Sequence, residues 1–143
     1  MGYKILVASD GSDNSRRAVE YAARLVARNR AVKVTVISVA KMVTGLESLL
    51  APESLVALAE ASVEQARRVA EGARRSLEEN GIPAEVVVEK GDPAEIICDL
   101  AEKGNYDFIV MGTRGSGGFK GVEAGSVSRR VVKQASCPVT LVR

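Results

Sequence analysis

Six glycines stand between Gly112 and Gly125, in the order GTRGSGGFKGVEAG, and among them are set Arg114, Ser116, Lys120 and Glu123. Glycine admits positive φ and lets main chain come within hydrogen-bonding reach of a ligand that a Cβ would hold off. Ser126-Val127-Ser128 follow and lead into RRVVKQA, whose spacing is helical. A helix N-terminus presents unpaired N–H groups and roughly half a positive charge. Ser126 and Ser128 are of the type that caps such an end or bonds a phosphate oxygen. The chemistry this stretch suits is the cradling of a phosphate chain by main-chain amides. It would do so without the lysine-centred GxxxxGK[ST] loop, which is absent. Glycines alone are equally compatible with a flexible surface loop, and it is their spacing that shifts the balance.

A second group with chemistry is Asp10, in the turn Ser9-Asp10-Gly11-Ser12-Asp13. It follows an apolar run and therefore stands at the carboxyl end of a strand, where an open α/β sheet has its ligand crevice. The other role open to it is a turn carboxylate capping the next helix.

The elements that must position these groups follow from periodicity. Tyr3 to Ala8 is apolar almost throughout, as a strand covered on both faces should be. A helix from Ser12 or Asp13 to about Asn29 puts Ala18, Val19, Ala22, Leu25 and Val26 on one stripe. A second strand runs from Val32 to Val39, and Lys41 to Pro52 reads as a connection with room for a short turn at Leu46 to Leu50. Pro52 suits the first turn of a long helix reaching Asn80, with Leu55, Leu58, Ser62, Ala66, Val69, Ala73 and Leu77 on its apolar side. At 1.5 Å per residue that helix is about 40 Å long, so its first turns should project beyond the sheet. A third strand, Ala84 to Lys90, precedes Asp92-Pro93-Ala94-Glu95, which reads as N-cap, first helical position and a glutamate able to reach back. Phe108 to Met111 is the fourth strand, Ser126 to Ala135 the last helix and Val139 to Val142 the fifth strand. Strands alternating with helices imply an α/β fold, a parallel sheet with helices on both faces.

Composition narrows the classes further. A chain of 143 residues is one ordinary domain. Its apolar runs are far shorter than the roughly 20 residues of a membrane helix, and no cationic-then-apolar leader opens it, which points to the cytoplasm and to no membrane. A net charge of +2 with 3% aromatics argues against nucleic acid as a partner. The pairs Arg67-Arg68, Arg74-Arg75 and Arg129-Arg130 read as solvated helix faces. Cys98 and Cys137 have no metal-ligand spacing and no histidine beside them, and read as small buried hydrophobes.

Gly112, Gly115, Gly125 and Ser126 fit the pattern G-x2-G-x9-G-[ST]. Together with KILVASDGS at the start, GDPAEII in the middle and SCPVTLV at the close, they make the chain resemble the universal stress proteins, ATP-binding subgroup, over essentially its whole length. The resemblance implies one domain over residues 1–143, a Rossmann-like (adenine nucleotide alpha hydrolase-like) sheet of five parallel strands in order 3-2-1-4-5, and a stress-response role. It implies ATP as ligand, with Mg2+ travelling on the phosphates; no protein ligand for the metal is evident. It would set Asp10 at the ribose hydroxyls and the main chain of Val39 at the adenine edge. Ala8 and Met111 would line the adenine, and Gly112, Gly115, Gly125, Ser126 and Val127 would offer donors to ribose and phosphates. Arg114 and Lys120 would be phosphate-side charges or solvated loop cations. The same resemblance implies a homodimer through the C-terminal strand, and Pro138 before an apolar terminal edge is compatible with it.

Other classes have less support. ATP hydrolysis needs a group to position water. No histidine exists and only Glu123 in the loop could serve, so slow turnover is the most expected, with no catalytic residue assigned. The turn SDGSDNS distantly resembles the SGGxDS loop of ATP pyrophosphatases, but Asp10 replaces a glycine there and would repel pyrophosphate. A dimeric scaffold without nucleotide stays open; such members generally lose the loop pattern, which this chain keeps. A dinucleotide or FMN is disfavoured by the missing GxGxxG after the first strand and the scarcity of aromatics.

Overall fold

The first strand, β1 (Tyr3–Ala8), shows why its sequence is apolar without alternation. Ile5 and Val7 belong to one buried cluster and Leu6 and Ala8 to another, so successive side chains enter cores on opposite faces of the same sheet. The computed structural model describes residues 2–29, 31–42, 44–113 and 125–143. Along them come β1, α1 (Asp13–Ala27), β2 (Val32–Ala40), α2 (Pro52–Glu79), β3 (Ala84–Lys90), α3 (Pro93–Lys103), β4 (Phe108–Gly112), α4 (Ser126–Gln134) and β5 (Val139–Val142). The strands form one parallel sheet in the order β3-β2-β1-β4-β5, as expected.

The central strands β1, β2 and β4 bury both faces. Ala18, Ala22 and Val26 of α1 and Ala70, Ala73 and Leu77 of α2 close one core over Val34, Val36 and Val110. Ala94, Ile97 and Ala101 of α3 and Val131 of α4 close the other over Ile37, Ile109 and Met111. Each large aliphatic side chain so buried contributes on the order of 1.5–3 kcal/mol. The edge strands bury no residue fully: β5 is half-buried throughout and β3 mixes half-buried with exposed positions.

The long helix α2 departs from its expected apolar stripe. Burial begins at Ala66; Leu55 is half-buried and Leu58 exposed. The outer turns run past the carboxyl end of the sheet and stand off it, with a cavity of about 180 Å3 between Leu55, Ala59 and Ser62 and the end of β2 at Ala40. The Ser62 hydroxyl reaches the Lys41 carbonyl at 3.2 Å, while Val56, further out, stays 57% exposed.

Candidate functional site

The crevice is made by where β1 stops. Its pairing ends at Ala8–Ile37 on one side and at Val7–Val110 on the other, while β2 and β4 continue. In a strand, main-chain groups of successive residues point to opposite neighbours. The amide of Ser9 donates to the Ile37 carbonyl at 3.0 Å, and that of Gly91 to the Ala40 carbonyl at 3.1 Å. Ile37 thus faces β1 and Ala40 faces β3, which turns the N–H and C=O of Val39 towards β1, beyond its last paired residue. The same alternation applies to β4, where the amide of Thr113 donates to the Val142 carbonyl of β5 at 2.9 Å. The main chain of Gly112 therefore faces β1 as well. Val39 and Gly112 aim backbone donors and acceptors into one gap; Ala8, the last residue of β1, and Met111, next to Gly112, are both nearly fully buried in the same core.

Over that gap the chain turns from β1 into α1. Gly11 takes φ +84°, a left-handed conformation that favours glycine. Asp10 is exposed, and its Oδ1 accepts from the Ser12 amide at 2.9 Å. The cap of α1 is Ser12, whose hydroxyl accepts from the Ser15 amide at 3.2 Å. Asp10 therefore shapes the turn, while the capping role that the sequence left open to it falls to the serine. Its carboxylate stays at the solvent edge of the crevice.

Facing this turn is the start of α4. Its N-cap is Gly125, extended at φ −77° and ψ 168°, and among the described residues no side chain caps the first turn. This corrects the expectation that Ser126 or Ser128 would cap the helix. Ser126 is exposed, Val127 is half-buried and Ser128 is buried. The Ser128 hydroxyl donates to the Thr113 carbonyl at 2.7 Å, so its proton is spent inside the fold rather than available to a phosphate. The amide of Gly125 reaches that same carbonyl at 2.6 Å. Gly112 has a packing role as well: a Cβ there would lie 2.8 Å from the Cβ of Asn14 and 2.9 Å from the Ser15 amide nitrogen. The first turn of α1 thus rests directly on the end of β4. Arg114, Gly115, Ser116, Lys120 and Glu123 lie outside the described residues.

Several residues at the site have partners that the sequence does not assign. Asn14 and Thr113 are buried and joined side chain to side chain at 3.0 Å, and Ser9 and Ser15 pair their hydroxyls at 3.2 Å beside them. The sequence puts Arg130 on a solvated helix face, whereas the structure ties it to the neighbouring helix. It bonds Asp92, the cap of α3, at 2.8 Å, and Glu95, expected to reach back to the cap, has its carboxylate 4.0 Å from the same guanidinium. The hydrogen bond from Arg130, helped by the Glu95 amide, holds the Asp92 carboxyl below the usual carboxylate range. Burial pushes both the Cys98 and the Cys137 thiols up. Among the described residues no group of three or more His, Cys, Asp or Glu side chains could hold a metal ion, and no helix is long and apolar enough to cross a membrane.

The fold is shared with other proteins. The sequence profile described as "Universal stress protein family" matches residues 1–143. The chain belongs to the universal stress protein family. Universal stress protein YxiE of Bacillus subtilis is 32% identical, the match covering 98% of each chain. Among solved structures, MJ0577 of Methanocaldococcus jannaschii superposes with a TM-score of 0.85 at 27% identity, over 99% of this chain and 96% of that one. A universal stress protein from Archaeoglobus fulgidus, solved in complex with dAMP, shares the fold at a TM-score of 0.69 and 23% identity, over 100% and 98% of the two chains. Members of the family therefore include a protein that holds an adenine nucleotide.

Proposed function

We propose that this universal stress protein binds an adenine nucleotide, ATP with Mg2+ as the preferred form, between the Asp10 turn and the start of α4. Its output in the stress response is then a conformation or a partner contact rather than a chemical step. The observation that carries the reading is the convergence at the end of β1. Backbone of Val39 and Gly112 faces one gap from two sides, and the N-terminus of α4, whose N-cap is a glycine, stands at its rim.

The residues fit such a ligand. A donor and acceptor from one backbone residue, Val39, suit the edge of adenine, and Ala8 and Met111 give that ring an apolar floor. Asp10 accepts from ribose hydroxyls at the solvent edge. The amides of Ser126 and Val127, the Ser126 hydroxyl and the dipole of α4 suit the phosphates, with Gly115 and Arg114 of the preceding loop completing the set. The metal ion would neutralise phosphate charge while held by the nucleotide.

We also propose a cytoplasmic homodimer formed through β5, which is an edge strand half-buried along its length. The test of the binding reading is mass spectrometry of small molecules released from the freshly purified protein. An adenine nucleotide in near-stoichiometric amount supports it; only non-nucleotide material, or none together with no binding of added Mg-ATP, removes it.

A further inference from the structure

Thr113 stands where four elements meet, and each of its polar atoms is engaged. Its amide donates to the Val142 carbonyl of β5, and its carbonyl receives the Gly125 amide at 2.6 Å and the Ser128 hydroxyl at 2.7 Å, both from α4. Its Oγ1 accepts from Nδ2 of Asn14, in the first turn of α1, at 3.0 Å. Oδ1 of Asn14 in turn accepts from Arg17, whose Nε donates to the Arg143 carbonyl at 2.6 Å. Asn14 and Thr113 are each more than nine-tenths buried. The hydrogen bond between Asn14 and Thr113 is a buried polar link between the two walls of the crevice. On one side it holds the helix whose cap follows Asp10; on the other, the residue that anchors Gly125 and the start of α4.

We infer that Asn14 and Thr113 are positioning residues for the nucleotide: their hydrogen bond fixes the distance between the Asp10 turn and the N-terminus of α4. This rests on the binding reading above. A directional bond suits the task because an apolar pair of similar shape would fill the space without setting an angle or a register, whereas a buried donor deprived of its acceptor moves to find another. Gly112 contributes by letting the α1 backbone settle against β4, so that the short Asn14 side chain can reach across.

The test compares Thr113→Val, which keeps the shape and removes the hydroxyl, with Thr113→Ser, which restores it, and with Asn14→Ala. Two readouts are taken well below the melting temperature: calorimetric affinity for Mg-ATP, and amide hydrogen exchange at Gly125 and Ser126. Thr113→Val and Asn14→Ala should each weaken affinity about tenfold and speed exchange, with the double variant no worse than either single one. Thr113→Ser should return both readouts to within about twofold of the parent. Unchanged affinity and exchange in Thr113→Val overturn the inference, as does a loss that serine fails to rescue, which would mark a packing role only. Should the parent bind no nucleotide, the binding reading falls. The exchange data then decide the link alone, with faster exchange in valine and recovery in serine sustaining it and equal rates ending it.

Discussion

Arg130 Nη1 lies 2.8 Å from Asp92 Oδ1, joining helix α4 to the N-cap of its neighbour α3. The bond holds the Asp92 carboxyl below its ordinary 3.8. In the unfolded chain the carboxyl binds protons more tightly, so its contribution to stability is complete above that unfolded value and is lost as pH falls through the lower folded one. Asparagine keeps the cap and removes the charge. Urea midpoints of Asp92→Asn should therefore lie below those of the parent at pH 7 and converge on them in acid. Parallel curves would show that the ion pair adds nothing to stability.

Gly112→Ala should destabilise the free protein by about 1–3 kcal/mol, since its Cβ would be forced against Asn14 and Ser15 at 2.8–2.9 Å. Denaturant unfolding without ligand measures this. A neutral result would mean that α1 shifts at little cost, and the close approach would lose its importance for the crevice.

Gly125→Val should abolish Mg-ATP binding and leave the fold intact. The extended conformation of Gly125 is one that valine readily adopts, and its amide keeps its bond to Thr113; the added branches occupy space facing the phosphates. Circular dichroism with calorimetric titration checks both halves. Undiminished affinity would count against the glycine-loop assignment.

Asp10→Ala should weaken the nucleotide strongly while barely moving the melting temperature of the free protein, because Ser12 and not Asp10 caps α1. Ser12→Ala is the control, expected to cost about 0.5–2 kcal/mol of stability. If the two variants lose stability equally, Asp10 is a structural residue of the turn.

Cys98 and Cys137 should react with iodoacetamide more slowly in the native protein at pH 8 than in urea. Burial raises both thiols, and the thiolate is the reactive form. Equal rates in both states would contradict their half-buried placement.

Much of this architecture was written in local pattern. Unbroken apolar runs at β1 and β4 announced strands with two covered faces, and Asp92-Pro93 and Pro52 announced helix starts, because caps and proline act within one turn of chain. The strand order came only with the family resemblance, since parallel neighbours are joined through crossovers that periodicity does not register. Asn14 and Thr113 were invisible because 99 residues separate partners whose types are common in turns. Ser128 looked like a cap and proved a buried tether, and Arg130 looked solvated, each for want of the neighbour that another element supplies. The orientation of Val39 depended on register, which a single strand cannot reveal.

The central claim is that the gap left by β1 seats an adenine nucleotide between Asp10 and the start of α4. Isothermal titration of the purified protein, stripped of any ligand it carries, with Mg-ATP tests it most directly. The account predicts saturable binding of one nucleotide per chain that Gly125→Val eliminates. Absence of any heat up to millimolar nucleotide, from a folded protein that releases no nucleotide on denaturation, would contradict it.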